Sequence, residues 1–129
     1  MKLLRLSITL FLGLAFTLAY AQKVSNVKAI HNKNIITLMW TVSQEPAAYN
    51  CYVEMSTDGK HFEPVGKVKG RQSYMDKQYF YQVKGYAQQK LWFRIKKVSV
   101  NKQAIYSEVV VLKPASGNEI TQVYSEVVD

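Results

Sequence analysis

Apolar and polar residues alternate along most of this chain, in short runs that are separated by turn-forming residues. One such run carries apolar residues at every second position, namely Cys51, Val53 and Met55. Tyr52 and Glu54 stand between them. Because successive side chains of a β-strand point to opposite faces, a period of two residues predicts a strand that has one face in a core.

Seven runs of this kind predict seven β-strands, and no window shows a convincing helical period of 3.6 residues. The predicted strands span residues 24–30, 35–42, 49–56, 62–69, 78–84, 91–100 and 104–112. Turn-forming residues separate them, as at His31-Asn32-Lys33-Asn34 and Thr57-Asp58-Gly59. Because one open sheet of this length would leave a whole face unburied, the pattern predicts an all-β, seven-stranded antiparallel sandwich of two sheets.

The alternation also predicts which side chains of the sixth strand face the core. One set of alternate positions is expected to point inward: Leu91, Phe93 and Ile95. The other set is expected to point outward: Trp92, Arg94 and Lys96. Pro64 and Gly66 predict that the fourth strand lies at an edge or contains a bulge.

The first 21 residues have a different pattern and are predicted to be a signal peptide. Lys2 and Arg5 form a basic start, a mostly apolar stretch follows, and Ala19-Tyr20-Ala21 fits the small-x-small cleavage rule. An uncleaved anchor is the alternative, although the apolar stretch falls short of the ~20 residues of a transmembrane helix. The protein is therefore expected to be exported, to the periplasm or out of the cell.

The rest of the chain is long enough for one small domain at residues 22–113, with a C-terminal tail at residues 114–129. The motif Tyr-Ser-Glu-Val-Val occurs in the last predicted strand, at residues 106–110, and again in the tail, at residues 124–128. The second copy is expected to form an extra edge strand or a frayed end. Alternatively, it competes for the slot of the last strand, in its own domain or in a neighbouring copy, which gives a route to self-association.

A longer motif extends over residues 40–66, where Trp-Thr-x-x-x-Glu is followed by Tyr-Val-Glu-x-Ser-x-Asp-Gly-x-x-Phe-x-x-Val-Gly. The residues that form it are Trp40, Thr41, Glu45, Tyr52, Val53, Glu54, Ser56, Asp58, Gly59, Phe62, Val65 and Gly66. Residues 93–98 and 106–107 add a Tyr-Arg-Leu-Lys-like strand and a Tyr-Ser pair. Over about residues 24–113, the chain resembles the fibronectin type III-like modules of secreted and surface proteins of Bacteroidetes-type bacteria.

This resemblance implies an immunoglobulin or fibronectin type III-like fold and a module that usually serves as a spacer or a binding unit. The chain departs from the family at Met55, where the family often has Arg, and at residues 99–102, where it often has an Asp-x-Asp-Gly turn. These departures affect loop detail more than the fold.

Candidate catalytic and metal-binding residues are few. The two histidines, His31 and His61, both lie in predicted turns and lack a second ligand at metal spacing. Asp58 alone does not make a calcium loop, and the single cysteine, Cys51, is expected to be a buried hydrophobe. The sequence has no Gly-rich phosphate loop and no serine-nucleophile motif. We therefore expect a protein that is not an enzyme and that uses no cofactor and no metal.

The outward face of the sixth strand is the candidate binding surface. Trp92, Arg94 and Lys96 are expected to project together. If the third and sixth strands pair as in fibronectin type III-like sheets, Tyr52 and Glu54 lie across from them. An aromatic ring among cations can stack on a sugar, a base or another side chain. The alternative is a solvated sheet face with a cross-strand Glu54–Arg94 pair and a covering tryptophan.

The charge of the chain adds a second hypothesis. The net charge is +8 at pH 7, and basic residues surround the predicted hairpin of the third and fourth strands: Lys60, Lys67, Lys69 and Arg71. Such a charge favours anionic surfaces, but it is also typical of a surface that only keeps a protein soluble.

Three functions follow from these patterns. The first is an exported, non-catalytic interaction module that binds a protein or glycan partner in the cell envelope or outside the cell. The second is a basic binder of an anionic polymer, an acidic polysaccharide or a nucleic acid, of which nucleic acid is the less expected. The third is a structural subunit that self-associates through the repeated Tyr-Ser-Glu-Val-Val strand.

Overall fold

The computed structural model describes residues 23–84 and 89–114, together with the backbone of residues 124 and 125. Within these residues the chain forms nine β-strands and no helix. The strands are β1 (Val24–Asn32), β2 (Ile35–Val42), β3 (Tyr49–Ser56), β4 (Glu63–Lys69), β5 (Lys77–Lys84), β6 (Leu91–Ser99), β7 (Ala104–Tyr106), β8 (Val110–Leu112) and β9 (Tyr124–Ser125). The all-β class predicted from the alternating pattern is confirmed.

The strands form two antiparallel sheets. The smaller sheet has the order β1-β2-β5, and the larger has the order β4-β3-β6-β8-β9, with β7 also paired to β6. Buried side chains from both sheets join in one core, so the molecule is a β-sandwich. Each sheet therefore has an inner face in the core and an outer face that points away from it.

Alternation along the strands supplies this core. From β6, the three side chains predicted to point inward are fully buried: Leu91, Phe93 and Ile95. Cys51 in β3 is also fully buried, as predicted. Trp40 of β2 stacks on Tyr79 of β5, with ring centroids 5.8 Å apart. Aromatic pairs of this kind add to the stabilisation that burial alone provides.

Strand ends agree closely with the prediction except at the first turn. β2 and β3 begin and end where predicted, whereas β1 continues two residues beyond its predicted end. His31 consequently pairs with Ile36 inside the sheet and is 2% exposed, so the prediction of a solvated turn histidine is wrong. The turn consists of Lys33 and Asn34, and Lys33 has a positive φ of 55°. A two-residue turn with positive φ matches the strand twist, so pairing continues up to the turn.

Ser107 divides the predicted seventh strand into two short strands. β7 and β8 both pair with β6, but the residues between them leave the regular ladder. The Ser107 amide donates to the Ile95 carbonyl over 2.9 Å. Its hydroxyl accepts from the Ile95 amide and donates to the Glu108 carbonyl, both over 2.8 Å. Because the side-chain oxygen replaces a backbone carbonyl, the ladder is interrupted while both backbone groups of Ile95 stay bonded.

Part of the C-terminal tail lies at the edge of the larger sheet. Tyr124 and Ser125 form β9, which pairs antiparallel with Val111 and Val110 of β8. This is the position of an edge strand, one of the predictions for the tail. The predicted signal peptide at residues 1–21 and the other residues of the tail after Pro114 lie outside the described residues. In the described part of the chain, no helix is long and apolar enough to cross a membrane.

Candidate binding surface

The pairing of β3 with β6 brings the five predicted binding residues to the outer face of the larger sheet. Tyr52 lies opposite Lys96, and Glu54 lies opposite Arg94. Trp92 also lies on β6, two residues before Arg94. The residues that alternate with these in both strands belong to the core, so the five side chains point away from it. The predicted position of Tyr52 and Glu54 across from the sixth strand is confirmed.

Arg94 lies at the centre of this face. Its Nε donates to Glu54 Oε1 over 2.8 Å, and the two side chains are 28% and 9% exposed. The guanidinium carbon lies 4.2 Å from the ring centre of Phe62 and 4.4 Å from that of Tyr106. A cation over two aromatic rings is attracted to both of them. Arg94 therefore links β3, β6, β7 and the residue before β4.

Lysines flank this centre on both sides. Lys96 lies opposite Tyr106 in the β6–β7 pairing, and its Nζ is 5.8 Å from the centre of that ring. Lys67 of β4 has its Nζ 5.9 Å from the ring centre of Tyr52. Lys67 is exposed and Lys96 is half-buried. Cations therefore lie beside aromatic rings across four strands of the sheet.

The turn between β3 and β4 supports Trp92. Gly59 has a φ of 78°, and a Cβ added there would lie 2.9 Å from Cε2 of Trp92. The indole thus packs on a glycine backbone that leaves no room for a side chain. The Nζ of Lys90 also contacts the indole and lies 4.8 Å from the centre of the Trp92 ring. Trp92 is consequently half-buried and held by both the turn and the lysine.

Asp58 organises this turn. Its Oδ1 accepts hydrogen bonds from the Ser56 hydroxyl and from the amides of Lys60 and His61, each over 2.8 Å. Its Oδ2 lies 2.6 Å from Nδ1 of His61. These bonds, chiefly the one to the His61 ring, hold the pKa of Asp58 well below its usual range, and Asp58 raises the pKa of His61. The predicted turn role of Asp58 is confirmed.

We name the whole arrangement the aromatic–cation strip. Its residues are Tyr52, Glu54, Phe62, Lys67, Lys90, Trp92, Arg94, Lys96 and Tyr106. Tyr106 is 48% exposed and Lys67 and Lys90 are also exposed, whereas Glu54 is buried. The exposed members present rings and charges to the outside, and the Glu54–Arg94 pair fixes their positions from below.

Four members of the strip are not among the five predicted binding residues: Phe62, Lys67, Lys90 and Tyr106. Lys67 was predicted only as one of the basic residues around the hairpin of the third and fourth strands. Tyr106 had a usable signal, because aligning the start of the seventh strand with the end of the sixth places it opposite Lys96. Phe62 was predicted to be the first residue of the fourth strand, but it lies before β4, where the alternation does not fix the direction of its side chain. Lys90 likewise precedes β6.

A second polar cluster lies inside the sandwich and was also missed. Lys97 Nζ lies 2.5 Å from Glu45 Oε2, and neither side chain is more than 2% exposed. The other oxygen, Glu45 Oε1, accepts from the Ala47 amide over 3.0 Å. The ammonium also lies 5.2 Å from the ring centre of Tyr49. Buried charges need such partners, and this pair joins the β2–β3 connection to β6.

Burial favours the neutral forms of Tyr49 and Cys51 in the core. Tyr49 and Tyr79 share a hydrogen bond of 2.5 Å between their hydroxyls, and burial is the main cause that raises the pKa of Tyr49. Burial likewise raises the pKa of the Cys51 thiol to about 11. Within residues 23–84 and 89–114, no three His, Cys, Asp or Glu side chains are grouped to hold a metal ion. Stacking and charge are the interactions that the exposed rings and cations of the strip can offer to another molecule.

The smaller sheet has an outer surface of a different kind. A groove of about 340 Å³ lies along it, lined by Lys28, Met39 and Phe80 among others. Phe80 is 70% exposed. This face lies on the opposite side of the sandwich from the strip, which makes Phe80 a matched exposed aromatic for comparison with Tyr106.

Comparison with known proteins assigns no family to this chain. Neither a scan against models of protein families nor a search of curated proteins finds a match.

Proposed function

We propose that this protein is an exported, non-catalytic interaction module that uses the aromatic–cation strip to bind a protein or glycan partner in the cell envelope or outside the cell. The fold we propose is the seven-stranded immunoglobulin or fibronectin type III-like sandwich, with β7 and β8 as one interrupted strand. The arrangement of three strands against four, followed by the β9 edge strand, supports this type.

The observation that carries the proposal is the row of rings and cations on the outer face of the larger sheet. Tyrosine, tryptophan and arginine are the residues that most often dominate binding energy at protein interfaces. Tyr106 offers an exposed ring and a hydroxyl, so it can stack on a sugar or pack against another side chain. Lys67, Lys90 and Lys96 surround the rings and can donate hydrogen bonds to acidic or carbonyl oxygens.

Within the strip, we assign different tasks to different residues. Tyr106, Lys96, Tyr52 and Trp92 are the groups that meet the partner. Glu54 and Arg94 are positioning residues, because their charges are already satisfied by one another and the guanidinium holds the rings. Loss of Tyr106 therefore removes a contact, whereas loss of Arg94 disorders the surface.

Capture of partners from an envelope extract tests the proposal. We expect immobilised wild-type protein and the Phe80→Ala variant to retain the same bound species, and Tyr106→Ala and Lys96→Ala to lose it by about tenfold or more, since hot-spot truncation costs about 2 kcal/mol. The Phe80 variant controls for the loss of an exposed ring from the other sheet. Equal retention by all four proteins would contradict the proposal.

Binding of an anionic polymer is the second candidate, favoured by the three lysines around the strip. It predicts that the logarithm of the affinity for a probe such as polygalacturonate falls steeply and linearly with the logarithm of salt concentration. A partner that binds mainly through stacked rings instead keeps most of its affinity from about 50 to 200 mM salt. The salt dependence of the captured species therefore separates the two candidates.

A further inference from the structure

Residues 106–110 occupy a slot along β6 that contacts particular side chains. Tyr106 lies opposite Lys96 and over the guanidinium of Arg94. Ser107 satisfies the amide and the carbonyl of Ile95. Val110 lies opposite Phe93 and is fully buried. The slot thus makes specific contacts with a tyrosine, with a serine one residue later and with a valine three residues after the serine.

The tail carries the same three residues at the same spacing, as Tyr124, Ser125 and Val128. The residues between them are also identical in the two copies. A strand with the second copy can therefore make every contact that the first copy makes with β6. Since the sequences are equal, exchanging one copy for the other in the slot changes little in local free energy.

The direction of the strands decides which molecule supplies the second copy. β7 and β8 run antiparallel to β6, and β9 runs antiparallel to β8. In its observed position, β9 is therefore parallel to β6, and it has the wrong direction for the slot. To enter the slot of its own domain, the tail would have to turn round. A second copy of the chain can approach in either direction.

The first copy pairs with β6 through only two short stretches of regular ladder. β7 and β8 have three residues each, and the Ser107 interruption lies between them. Few ladder bonds must break before another strand can replace this segment. The edge of the larger sheet next to β8 already accepts the backbone of Tyr124 and Ser125, so the tail is compatible with strand pairing.

We propose that the second Tyr-Ser-Glu-Val-Val copy is a donor strand, which takes the place of residues 106–110 in a second copy of this chain. The product is a strand-exchanged dimer or a longer chain of molecules. Tyr124 of one molecule then lies where Tyr106 lay, opposite Lys96 of the other, so the aromatic–cation strip keeps a tyrosine. The exchange is thus independent of which partner the strip binds.

Disulfide trapping between two variants, each with one introduced cysteine in addition to the buried Cys51, tests the pairing directly. Lys96→Cys protein is mixed with Tyr124→Cys protein and oxidised, and the mixed dimer is identified by its mass. We expect mixed dimer at a yield that rises with protein concentration. The matched control replaces Lys96→Cys by Phe80→Cys, an exposed site on the other sheet. Mixed dimer no more abundant than in this control would overturn the proposal.

Ser125 provides a second test, because its counterpart Ser107 makes specific hydrogen bonds in the slot. Dimerisation of the full exported chain is measured by sedimentation equilibrium. Ser125→Ala should weaken dimerisation roughly fivefold, the equivalent of one hydrogen bond. Glu126→Ala is the matched control and should leave it unchanged, because Glu108, its counterpart in the first copy, is exposed. Both substitutions leave the sequence of residues 23–114 unchanged, so the stability of the sandwich formed by β1 to β8 should not change. Equal dimerisation of the two variants, or a dimer that survives truncation after Pro114, would contradict exchange.

Discussion

At the scale of single residues, the most consequential feature is the charge pair inside the sandwich. Lys97 and Glu45 are both buried, and removing either charge leaves the other in a medium of low dielectric constant. The alternation of β6 places residue 97 on the inner face, yet no local pattern indicates a buried lysine. The partner is 52 residues away, on an irregular connection, so only the tertiary structure brings the two together.

Lys97→Met should therefore destabilise the protein strongly. The unpaired Glu45 carboxylate is expected to cost about 3–5 kcal/mol of unfolding free energy, measured by urea denaturation. The double variant Lys97→Met/Glu45→Gln should recover a large part of this loss, because no unpaired charge remains. Lys67→Met, at an exposed position, is the control and should change stability by less than about 0.5 kcal/mol. A single variant as stable as that control would show that the pair is not structural.

The Asp58–His61 contact gives a prediction about pH. The lowered pKa of Asp58 means that its contribution to stability is present above its ordinary pKa of 3.8 and is lost as the pH falls further. The raised pKa of His61 means that its contribution is present below its ordinary pKa of 6.5 and is lost as the pH rises through the raised value. The contact therefore contributes most between these two ordinary values.

An NMR titration of the His61 ring checks this contact. In the wild type, the pKa of His61 should lie above 6.5, and in Asp58→Asn it should return towards 6.5. Both side chains are largely exposed, at 86% and 48%, so the effect on overall stability should be small. The same pKa in both proteins would show that the contact does not form in solution.

At the scale of the strands, the period-2 pattern predicted most of the fold. β2 and β3 were placed correctly because each has apolar residues at every second position, Ile36, Leu38 and Trp40 in β2 and Cys51, Val53 and Met55 in β3. The pattern failed where a side chain competes with the backbone. Ser107 reads as an ordinary strand residue in the sequence, but its hydroxyl replaces a carbonyl and divides the strand. His31 was predicted to lie in a turn because the next three residues, 32–34, favour turns. The turn in the structure consists only of Lys33 and Asn34.

The β3–β4 turn and the strip depend on one another through Gly59. Gly59→Ala would place a Cβ against the Trp92 ring at a backbone conformation that disfavours side chains, so a loss of about 1–3 kcal/mol is expected. The indole Nε1 proton resonance of Trp92 should shift at the same time. Thr57→Ala, in the same turn, is the control. A Trp92 resonance that stays in place would show that the indole does not pack on Gly59.

At the scale of the whole molecule, the sandwich separates two outer faces of different character. The sequence located the face of the strip correctly, because the alternation of β6 fixes which side chains point outward. It identified only part of the residues on that face. Phe62 and Tyr106 come from segments that only the folded chain places beside Arg94, and the burial of Glu54 was not expected from its outward position.

We propose that the partner binds to the strip and not to the outer face of the smaller sheet. Site-specific photocrosslinking in cells tests this most directly, with benzoylphenylalanine placed at position 106 or at position 80 of the full chain. Both positions are exposed aromatic residues, at 48% and 70%, so the aromatic probe replaces an exposed ring at each. We predict a discrete adduct from position 106 and none from position 80. An adduct from position 80 alone, or equal adducts from both, would contradict the account.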